Sequence, residues 1–236
     1  MDEVTAQRNA APYYQRRYTG QGRRYHASLV QRLLQEAAYG DHVLDAGCGT
    51  GFAWDCAGDD YQILGIDLSA EMLAYHRGPH QWMDVTKLQF PDASFDFLLC
   101  RSLLHHLPDP AAGLAEMARV LKPGGRAAFL ETNKSAIATQ VRKRTQHGDR
   151  FSEFHTSFTA HELRTLIEER FLIHRVEYEG FLRYPLLGFP DIINFERWLP
   201  FPPFWYTTTG LVDTLLARIP WIQRLSWATL VYAQKP

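Results

Sequence analysis

The sequence predicts one α/β domain in which a mostly parallel sheet carries helices on both faces. Three observations favour this class. Strand-like and helix-like segments alternate through the middle of the 236-residue chain, a glycine-rich stretch follows the first strand, and acidic residues stand directly after several strands. Alternation with short connections is typical of parallel sheets covered by helices. Ligands of such sheets bind beyond the carboxyl ends of the strands.

Apolar segments bounded by turn residues predict the strands. The first, at residues 42–44, runs into the stretch VLDAGCGTG at residues 43–51. Further segments have the length and composition of strands: 61–66, 95–100, 126–131, 171–178 and 228–233. The stretch between Met72 and Trp82 is short, so we expect any strand there to be reduced.

Helical spacing of apolar residues and capping signals predict the helices. Residues 28–37 have leucines on one helical face, and Gly40 stands beyond them as a stop. Ser69 and Asp109 are predicted N-caps, the second followed by a proline at the first helical position. Residues 159–162 have the threonine and glutamate of a capping box.

Composition and charge limit the classes of function. A net charge of −1 provides no general attraction to nucleic acid or to an anionic membrane. The three cysteines form no C-x-x-C pair, and their odd number argues against a disulfide framework. The cysteine usage fits a cytoplasmic protein. The polar, basic N-terminus predicts no signal peptide, and the charged and proline residues that interrupt residues 210–231 predict no transmembrane helix there.

The glycine loop distinguishes between two classes of ligand. The dinucleotide pattern G-x-G-x-x-G that begins at Gly47 requires a glycine at position 52, where the chain has Phe52. Asp45 also precedes the first glycine, where its charge opposes a pyrophosphate. S-adenosylmethionine carries an ammonium and a sulfonium and no phosphate, so a carboxylate suits it. The loop therefore favours this cofactor, and a nicotinamide dinucleotide is the rival.

The stretch VLDAGCGTG resembles the first motif of class I methyltransferases that depend on S-adenosylmethionine, and especially of the methyltransferase type 11 subfamily. Further segments match that family in order: IDLS at 66–69, WMDVTKLQFPDASFD at 82–96, SLLHHLPDP at 102–110 and VLKPGGRAAFLE at 120–131. The resemblance covers residues 26–178. It implies a three-layer Rossmann-like methyltransferase fold, with a mostly parallel seven-stranded sheet whose last strand is antiparallel.

The same resemblance implies a single S-adenosylmethionine-dependent methyltransferase domain over residues 1–236. Its parts are an N-terminal helical cap (1–40), a core (41–178), a substrate-lid insertion (180–224) and the last strand (225–236). The insertion is rich in aromatic residues and prolines, which suits an apolar or ring-bearing substrate or contact with a membrane interface. A locally packed subdomain or a dimer surface is the alternative. The prolines predict that no single long amphipathic helix crosses residues 185–203.

Cofactor contacts are carried over from the family onto matching positions. They are Asp45, Gly47, Cys48, Gly49, Asp67, Leu68, Asp84, Val85, Cys100 and Arg101. The glycines allow close approach of the backbone, and we expect Asp45 to hold the cofactor's amino group, directly or through water. The carbonyl of Cys100 or Arg101 is expected to meet the methionine ammonium.

The two remaining carboxylates are expected to hold the nucleoside. Asp67 can accept both ribose hydroxyls, as an acidic residue does in dinucleotide folds. Asp84 can accept from the adenine amino group, with the Val85 N–H available to a ring nitrogen. The alternative for both aspartates is that they only cap helices.

Catalytic candidates follow the fourth strand. A hydroxyl, phenol or ammonium nucleophile must lose a proton, and His105 and His106 are the candidate general bases. His106 stands where some phosphoethanolamine methyltransferases carry a histidine that works with an N-terminal tyrosine, and Tyr14 and Tyr18 are the candidate partners. The alternative for each histidine is a bond to the backbone that positions the loop. Adjacent histidines make no metal-ligand set, so we expect no metal.

The sequence thus predicts methyl transfer from S-adenosylmethionine to a small-molecule or lipid-like acceptor. O-methylation is slightly favoured, because a histidine–tyrosine pair suits deprotonation of a hydroxyl. RNA methylation and cofactor binding without methyl transfer are the alternatives. The net charge of −1 counts against RNA, since phosphate contacts dominate nucleic-acid affinity. The acceptor and the oligomeric state do not follow from the sequence.

Overall fold

The computed structural model describes residues 18–135, 157–188 and 200–236, together with residues 139, 195 and 198. The described strands are β1 (His42–Ala46), β2 (Gln62–Asp67), β3 (His80–Trp82), β4 (Phe95–Arg101), β5 (Leu121–Thr132), β6 (Leu172–Glu179) and β7 (Ala228–Gln234). They form a seven-stranded sheet in the order β3-β2-β1-β4-β5-β7-β6. Neighbouring strands are parallel except at β7, which is antiparallel to β5 and β6. The predicted fold class is confirmed.

Helices cover both faces of this sheet. The described helices are α1 (Gly20–Leu34), α2 (Phe52–Ala57), α3 (Ala70–Leu73), α4 (Pro110–Val120), α5 (Ala160–Glu168), α6 (Arg183–Leu187), α7 (Pro202–Leu216) and α8 (Pro220–Gln223). Single 3₁₀ turns occupy Gly58–Asp60 and Leu104–His106.

Alternate residues of the central strands feed two separate apolar cores. Leu44 of β1 packs in the core that holds Leu114 and the rest of the buried face of α4. Its neighbour Val43 packs in the opposite core, with Leu29 of α1 and Tyr184 of α6. Successive side chains of a strand point to opposite faces, so the sheet is the middle of three layers.

The predicted caps are confirmed. The Ser69 hydroxyl accepts from Met72 N at 3.2 Å, and Asp109 Oδ1 accepts from Ala112 N at 3.0 Å. At the start of α5, Thr159 and Glu162 make both hydrogen bonds of the capping box. Each of these side chains supplies an acceptor for an N–H that has no partner within its helix.

Helix α1 differs from its predicted extent, and the helix that Ser69 caps is short. Helix α1 begins at Gly20, eight residues before the apolar spacing at 28–37 indicates, and it ends at Leu34. Helix α3 has only four residues. The buried ring of His76 lies under the glycine loop, where a Cβ on Gly51 would come within 2.7 Å of it. This packing draws the chain back against the loop directly after α3.

Strand β3 was predicted to be short, whereas helix α7 was not predicted. Strand β3 has three residues, all exposed, in agreement with the reduced strand expected there. The insertion contains α7, which no apolar spacing in the sequence analysis indicated. Pro202 and Pro203 occupy its first turn, where the N–H that proline lacks would have no helical partner.

The register places three strand ends side by side. Ala46 of β1 pairs with Ile66 of β2 and with Cys100 of β4. The residues that follow these positions therefore emerge together at one edge of the sheet. Between β1 and β4 the strand order reverses, and open α/β sheets bind ligands at such a point.

Candidate cofactor and active site

A cavity of about 650 Å³ lies at this edge of the sheet. The glycine loop, the ends of β2 and β4 and residues 83–87 form one side of it. Tyr18, His26, Leu29 and Tyr184 line it from the flanking segments. The volume is within the range of sites for small molecules and cofactors.

Gly47 and Gly49 have different surroundings within the loop. Both have positive φ, +71° and +56°. A Cβ on Gly47 would lie 2.8 Å from Leu103 Cδ1, whereas a Cβ on Gly49 would meet nothing within 4 Å. Gly49 therefore leaves open space beside its backbone, and it lines the cavity. Gly47 is required because the chain after β4 packs directly against it.

The backbone N–H groups of this loop are used within the protein. Gly47 N and Cys48 N both donate to Ile66 O at 2.9 Å. Gly51 N donates to Cys48 O at 3.0 Å, and Gly49 N donates to Asp67 Oδ2 at 2.9 Å. Loops that cradle phosphates present their N–H groups to the ligand. This loop is closed on itself and on β2 instead.

Asp67 joins the glycine loop to the start of α3. Its Oδ2 accepts from Gly49 N, and its Oδ1 accepts from Ser69 N at 2.8 Å. A carboxylate has about four lone-pair sites, so about two remain on the cavity side. Burial raises the pKa of Asp67, while the two backbone hydrogen bonds and the charge of His106 oppose that rise.

Asp84 and Val85 line the cavity next to the short strand β3. Asp84 Oδ1 accepts from both Thr86 N, at 2.9 Å, and Thr86 Oγ1, at 2.8 Å. Within the described part of the chain, the Val85 N–H donates to no acceptor. The segment thus offers the cavity a carboxylate held by a tight turn and one backbone donor.

Asp45 is buried below the loop, and its side chain is not part of the cavity lining. Neither carboxylate oxygen has a hydrogen-bond partner among the described residues. Burial raises the pKa of Asp45 to about 6, and the nearby Arg101 guanidinium opposes that rise. The predicted contact of Asp45 with the cofactor's amino group, directly or through water, stays a prediction, because the side chain is buried outside the cavity lining.

Arg101 and Tyr18 meet at the cavity. Their side chains are hydrogen-bonded, and the Tyr18 ring stacks on Phe52 with centroids 3.7 Å apart and planes at 11°. Arg101 Cζ lies 5.7 Å from the Phe52 ring centroid. Arg101 Nε is buried without a hydrogen-bond partner among the described residues. The group places a cation and a phenol on the same wall.

The structure separates the two histidines. His105 is buried, its Nδ1 bonds Glu131 Oε2, and its side chain is not part of the cavity lining. Glu131 Oε1 accepts from Leu103 N at 2.9 Å and Leu104 N at 2.7 Å. Burial raises the pKa of Glu131 to about 7. This buried pair holds the loop after β4 and thereby presents its neighbour, His106, to the cavity.

The other predicted residues fall in several places. Cys48 and Leu68 line the cavity, whereas the Cys100 side chain is fully buried outside it. Tyr14 lies outside the described residues. Asn133, which is not one of the predicted site residues, follows β5 and fixes its end to the chain before β7, with its Nδ2 2.5 Å from Ser226 Oγ.

Sequence reasoning missed the wall formed by His26, Leu29 and Tyr184. The helical spacing of Leu29, Leu33 and Leu34 was visible, but it did not include His26, and spacing alone does not show which residues of a buried face border a cavity. Tyr184 gave no signal. Among the described residues, no group of three or more histidine, cysteine or acidic side chains is placed to hold a metal ion.

Comparison with known proteins identifies the family of this core. Residues 44–129 match a family model described as a methyltransferase domain, the type 11 family that the glycine loop resembles. Over residues 44–129 the chain therefore matches the class I methyltransferases. This family is S-adenosylmethionine-dependent, and the matched segment contains the glycine loop, Asp67, Asp84 and His106.

Individual relatives agree with this match. A Mycolicibacterium smegmatis protein named as an S-adenosylmethionine-dependent methyltransferase is 33% identical over 152 residues, 61% of this chain and 56% of that protein. The ubiquinone biosynthesis O-methyltransferase of Sodalis glossinidius is 34% identical over 42% of this chain and 45% of its own. The matched segments thus span about half the length of these relatives.

A solved structure supports the fold. The Haemonchus contortus phosphoethanolamine N-methyltransferase 2, in complex with S-adenosyl-L-methionine, superposes with a TM-score of 0.62 at 19% identity. The match covers 90% of this chain and 52% of that one. At this identity the likeness concerns the fold alone.

Proposed function

We propose that this protein binds S-adenosylmethionine in the cavity and transfers its methyl group to a small-molecule or lipid-like acceptor, with a hydroxyl acceptor favoured. The observation that carries the proposal is the Asp67 carboxylate. It faces the cavity, it is fixed by the N–H groups of Gly49 and Ser69, and it keeps lone pairs for two further donors. The adjacent hydroxyls of a ribose are such a pair of donors.

The charge around the cavity supports a cofactor that is cationic and lacks phosphate. Asp67 and Asp84 line the cavity, and Asp45 lies behind its glycine loop. The loop N–H groups that a pyrophosphate needs are already bonded to protein acceptors, Ile66 O and Asp67 among them. Both features oppose a dinucleotide and suit a ligand with an ammonium and a sulfonium.

We assign the cofactor contacts on this basis. S-adenosylmethionine, when bound, supplies an electrophilic methyl group. Asp67 would hold the ribose, and Asp84 with the Val85 N–H would hold the adenine edge. Gly49 would leave room for the methionine part, and Asp45 would balance its positive charge. The protein's main contribution would be to hold the acceptor in line with the methyl group, which can account for much of a lowered barrier.

His106 is the candidate that would take a proton from the acceptor. It lines the cavity, while its neighbour His105 is engaged with Glu131. The wall of Tyr18, Leu29 and Tyr184 suits an apolar or ring-bearing molecule. The O-methyltransferases among the relatives support a hydroxyl acceptor for this chain.

Transfer of a labelled methyl group from S-adenosylmethionine to a panel of phenols and hydroxylated lipids tests the proposal. We expect label in at least one acceptor, and we expect His106→Gln to lower kcat by about 10²–10⁴-fold, the usual contribution of a general base. His42→Gln is the matched control, because His42 is exposed at the opposite end of β1. Full activity in His106→Gln would remove the assigned role. Cofactor binding without transfer to any acceptor would favour a protein that binds the cofactor and does not methylate.

A further inference from the structure

Helix α7 presents its apolar side to solvent. Phe204, Leu211 and Leu215 are 60%, 64% and 60% exposed. Their spacing of seven and four residues places them in one stripe along the helix, about 16 Å long at 1.5 Å per residue. The opposite side of α7 holds its buried residues, which include Thr209 and Asp213. The apolar stripe therefore faces solvent, while the buried side holds Tyr206 beside the polar Thr209 and Asp213.

Hydrogen bonds to α6 fix this orientation. Asp213 Oδ1 accepts from Leu182 N at 2.7 Å, and its Oδ2 accepts from Arg183 N at 3.1 Å. The Arg183 guanidinium donates to Tyr206 O at 3.1 Å and lies where a Cβ on Gly210 would be. Rotating the helix to bury its apolar stripe would break these buried polar contacts. The stripe is thus held outward by the fold.

Two further exposed aromatic side chains flank α7 in the sequence. Phe201 precedes the helix with 80% exposure, and Trp221 follows in α8 with 64%. We call Phe201, Phe204, Leu211, Leu215 and Trp221 the 201–221 surface. An exposed apolar stripe such as that of α7 is typical of a site of interaction with another protein or a membrane.

The hydroxyl groups on the outer part of α7 are compatible with an apolar environment. Three threonines on the outer part of α7 bond their own helix four residues back: Thr207 to Pro203 O, Thr208 to Phe204 O and Thr214 to Gly210 O, at 3.1, 2.7 and 2.9 Å. Their hydroxyls are therefore satisfied without water. A helix that enters a lipid interface needs this, because unpaired polar groups are costly there.

The charged residues near the 201–221 surface indicate which kind of partner it would bind. Within residues 200–224 the exposed charged side chains are Arg218 and Arg224, and the acidic Asp213 of that segment is buried. Basic residues beside an apolar helical face are the pattern of helices that lie in the interface of an anionic membrane. The net charge of −1 describes the whole chain and does not oppose this local complementarity.

We propose that the 201–221 surface docks on an anionic lipid surface, with α7 lying in the plane of the interface and Arg218 and Arg224 at the headgroups. None of the helices described by the structure is long and apolar enough to cross a membrane. The docking uses exposed residues outside the cavity lining, so it can succeed or fail independently of the proposed methyl transfer.

Co-sedimentation of the full chain with lipid vesicles tests the proposal. One set contains phosphatidylcholine alone, and the other contains phosphatidylcholine and phosphatidylglycerol. We expect binding to the mixed vesicles that weakens with added salt, because exposed charges are screened. The double variant Phe204→Ser, Leu211→Ser should bind at least about tenfold more weakly, since it removes two apolar side chains from the interface. Arg218→Glu should weaken binding to the mixed vesicles only.

Tyr39→Ser is the matched control, because Tyr39 is 85% exposed and lies between α1 and β1 rather than on the 201–221 surface. It should bind vesicles as the wild type does. Circular dichroism should show all variants folded. Equal binding of wild type and double variant, or no binding to either vesicle, would overturn the proposal. A different result would also overturn it: the wild type binds no vesicles but forms a dimer in light scattering, and the double variant abolishes that dimer. The partner would then be a second copy of the chain.

Discussion

At the residue scale, three strand-end aspartates of the same chemical type occupy three different environments. Asp67 accepts from two backbone N–H groups, and Asp84 accepts twice from one threonine. Asp45 has no hydrogen-bond partner among the described residues. A buried carboxylate without partners costs free energy that the fold must supply from elsewhere. Such a cost is retained where the group serves a ligand, which is the role proposed for Asp45.

Asp45 makes stability depend on pH. Burial raises its pKa to about 6 in the folded protein, above the value of about 3.9 in an unfolded chain. Near pH 4 the buried Asp45 carboxyl is protonated and uncharged. As the pH rises through 6 the folded protein must bury its charge, so the free energy of unfolding falls. We therefore expect Asp45→Asn to gain about 2 kcal/mol in unfolding free energy over wild type between pH 4 and pH 8. Urea unfolding at both pH values measures this, and a difference that does not change with pH would contradict it.

Glu131 is expected to be a structural residue of the active-site loop. Glu131→Ala would leave the N–H groups of Leu103 and Leu104 and the Nδ1 of His105 without their acceptor, at a cost of about 3 kcal/mol. Glu131→Gln keeps an acceptor for both N–H groups, so we expect a loss of about 1 kcal/mol. Urea unfolding of both variants provides the comparison. Equal losses would show that these hydrogen bonds do not hold the loop.

The position of a residue at the cavity was predictable where it depends on one strand end. It was not predictable where it depends on a contact between residues far apart in the sequence. Asp67 is the last residue of β2 and Gly49 lies in the loop after β1, and both line the cavity, as the motif predicted. His105 and His106 are adjacent and chemically identical in the sequence. Only the position of Glu131, 26 residues beyond His105, shows which histidine is engaged and which reaches the cavity.

At the element scale, the glycine loop provides a paired test of the cavity. A methyl on Gly49 would occupy open space, whereas a methyl on Gly47 would lie 2.8 Å from Leu103 Cδ1. Positive φ costs each alanine variant about 1 kcal/mol. We expect Gly49→Ala to fold with little further loss but to bind S-adenosylmethionine at least about tenfold more weakly, because its methyl fills ligand space.

Gly47→Ala should instead lose more stability in thermal unfolding, because of the clash. Wild-type cofactor affinity in Gly49→Ala would contradict the placement of the ligand over Gly49.

Helices were predictable where a cap or an inward apolar face marked them, and α7 had neither. Its N-cap Phe201 makes no side-chain cap, and its apolar residues Phe204, Leu211 and Leu215 point outward. Periodicity shows that a helix has a face, but it does not show what that face contacts. The inward side of α7 is fixed by Asp213 and Arg183, a contact that no local pattern indicates.

At the scale of the whole molecule, the topology was predictable because alternation and short connections leave few arrangements of a parallel sheet. The cavity has one wall from this predictable core and one from α1 and α6. The core wall carries the groups proposed to hold the cofactor. The other wall and the 201–221 surface belong to the segments outside the matched family model, residues 44–129, and they are where a specific acceptor and a partner would be selected.

Calorimetric titration of S-adenosylmethionine and S-adenosylhomocysteine is the most direct test of the central claim, that Asp67 and the glycine loop form a cofactor site. We expect saturable binding to wild type, weakened at least about tenfold in Asp67→Ala, which loses charge-assisted hydrogen bonds to the ribose. Asp55→Ala is the control, because Asp55 of α2 is not part of the cavity lining. No binding by folded wild type, or equal binding by Asp67→Ala, would contradict the account.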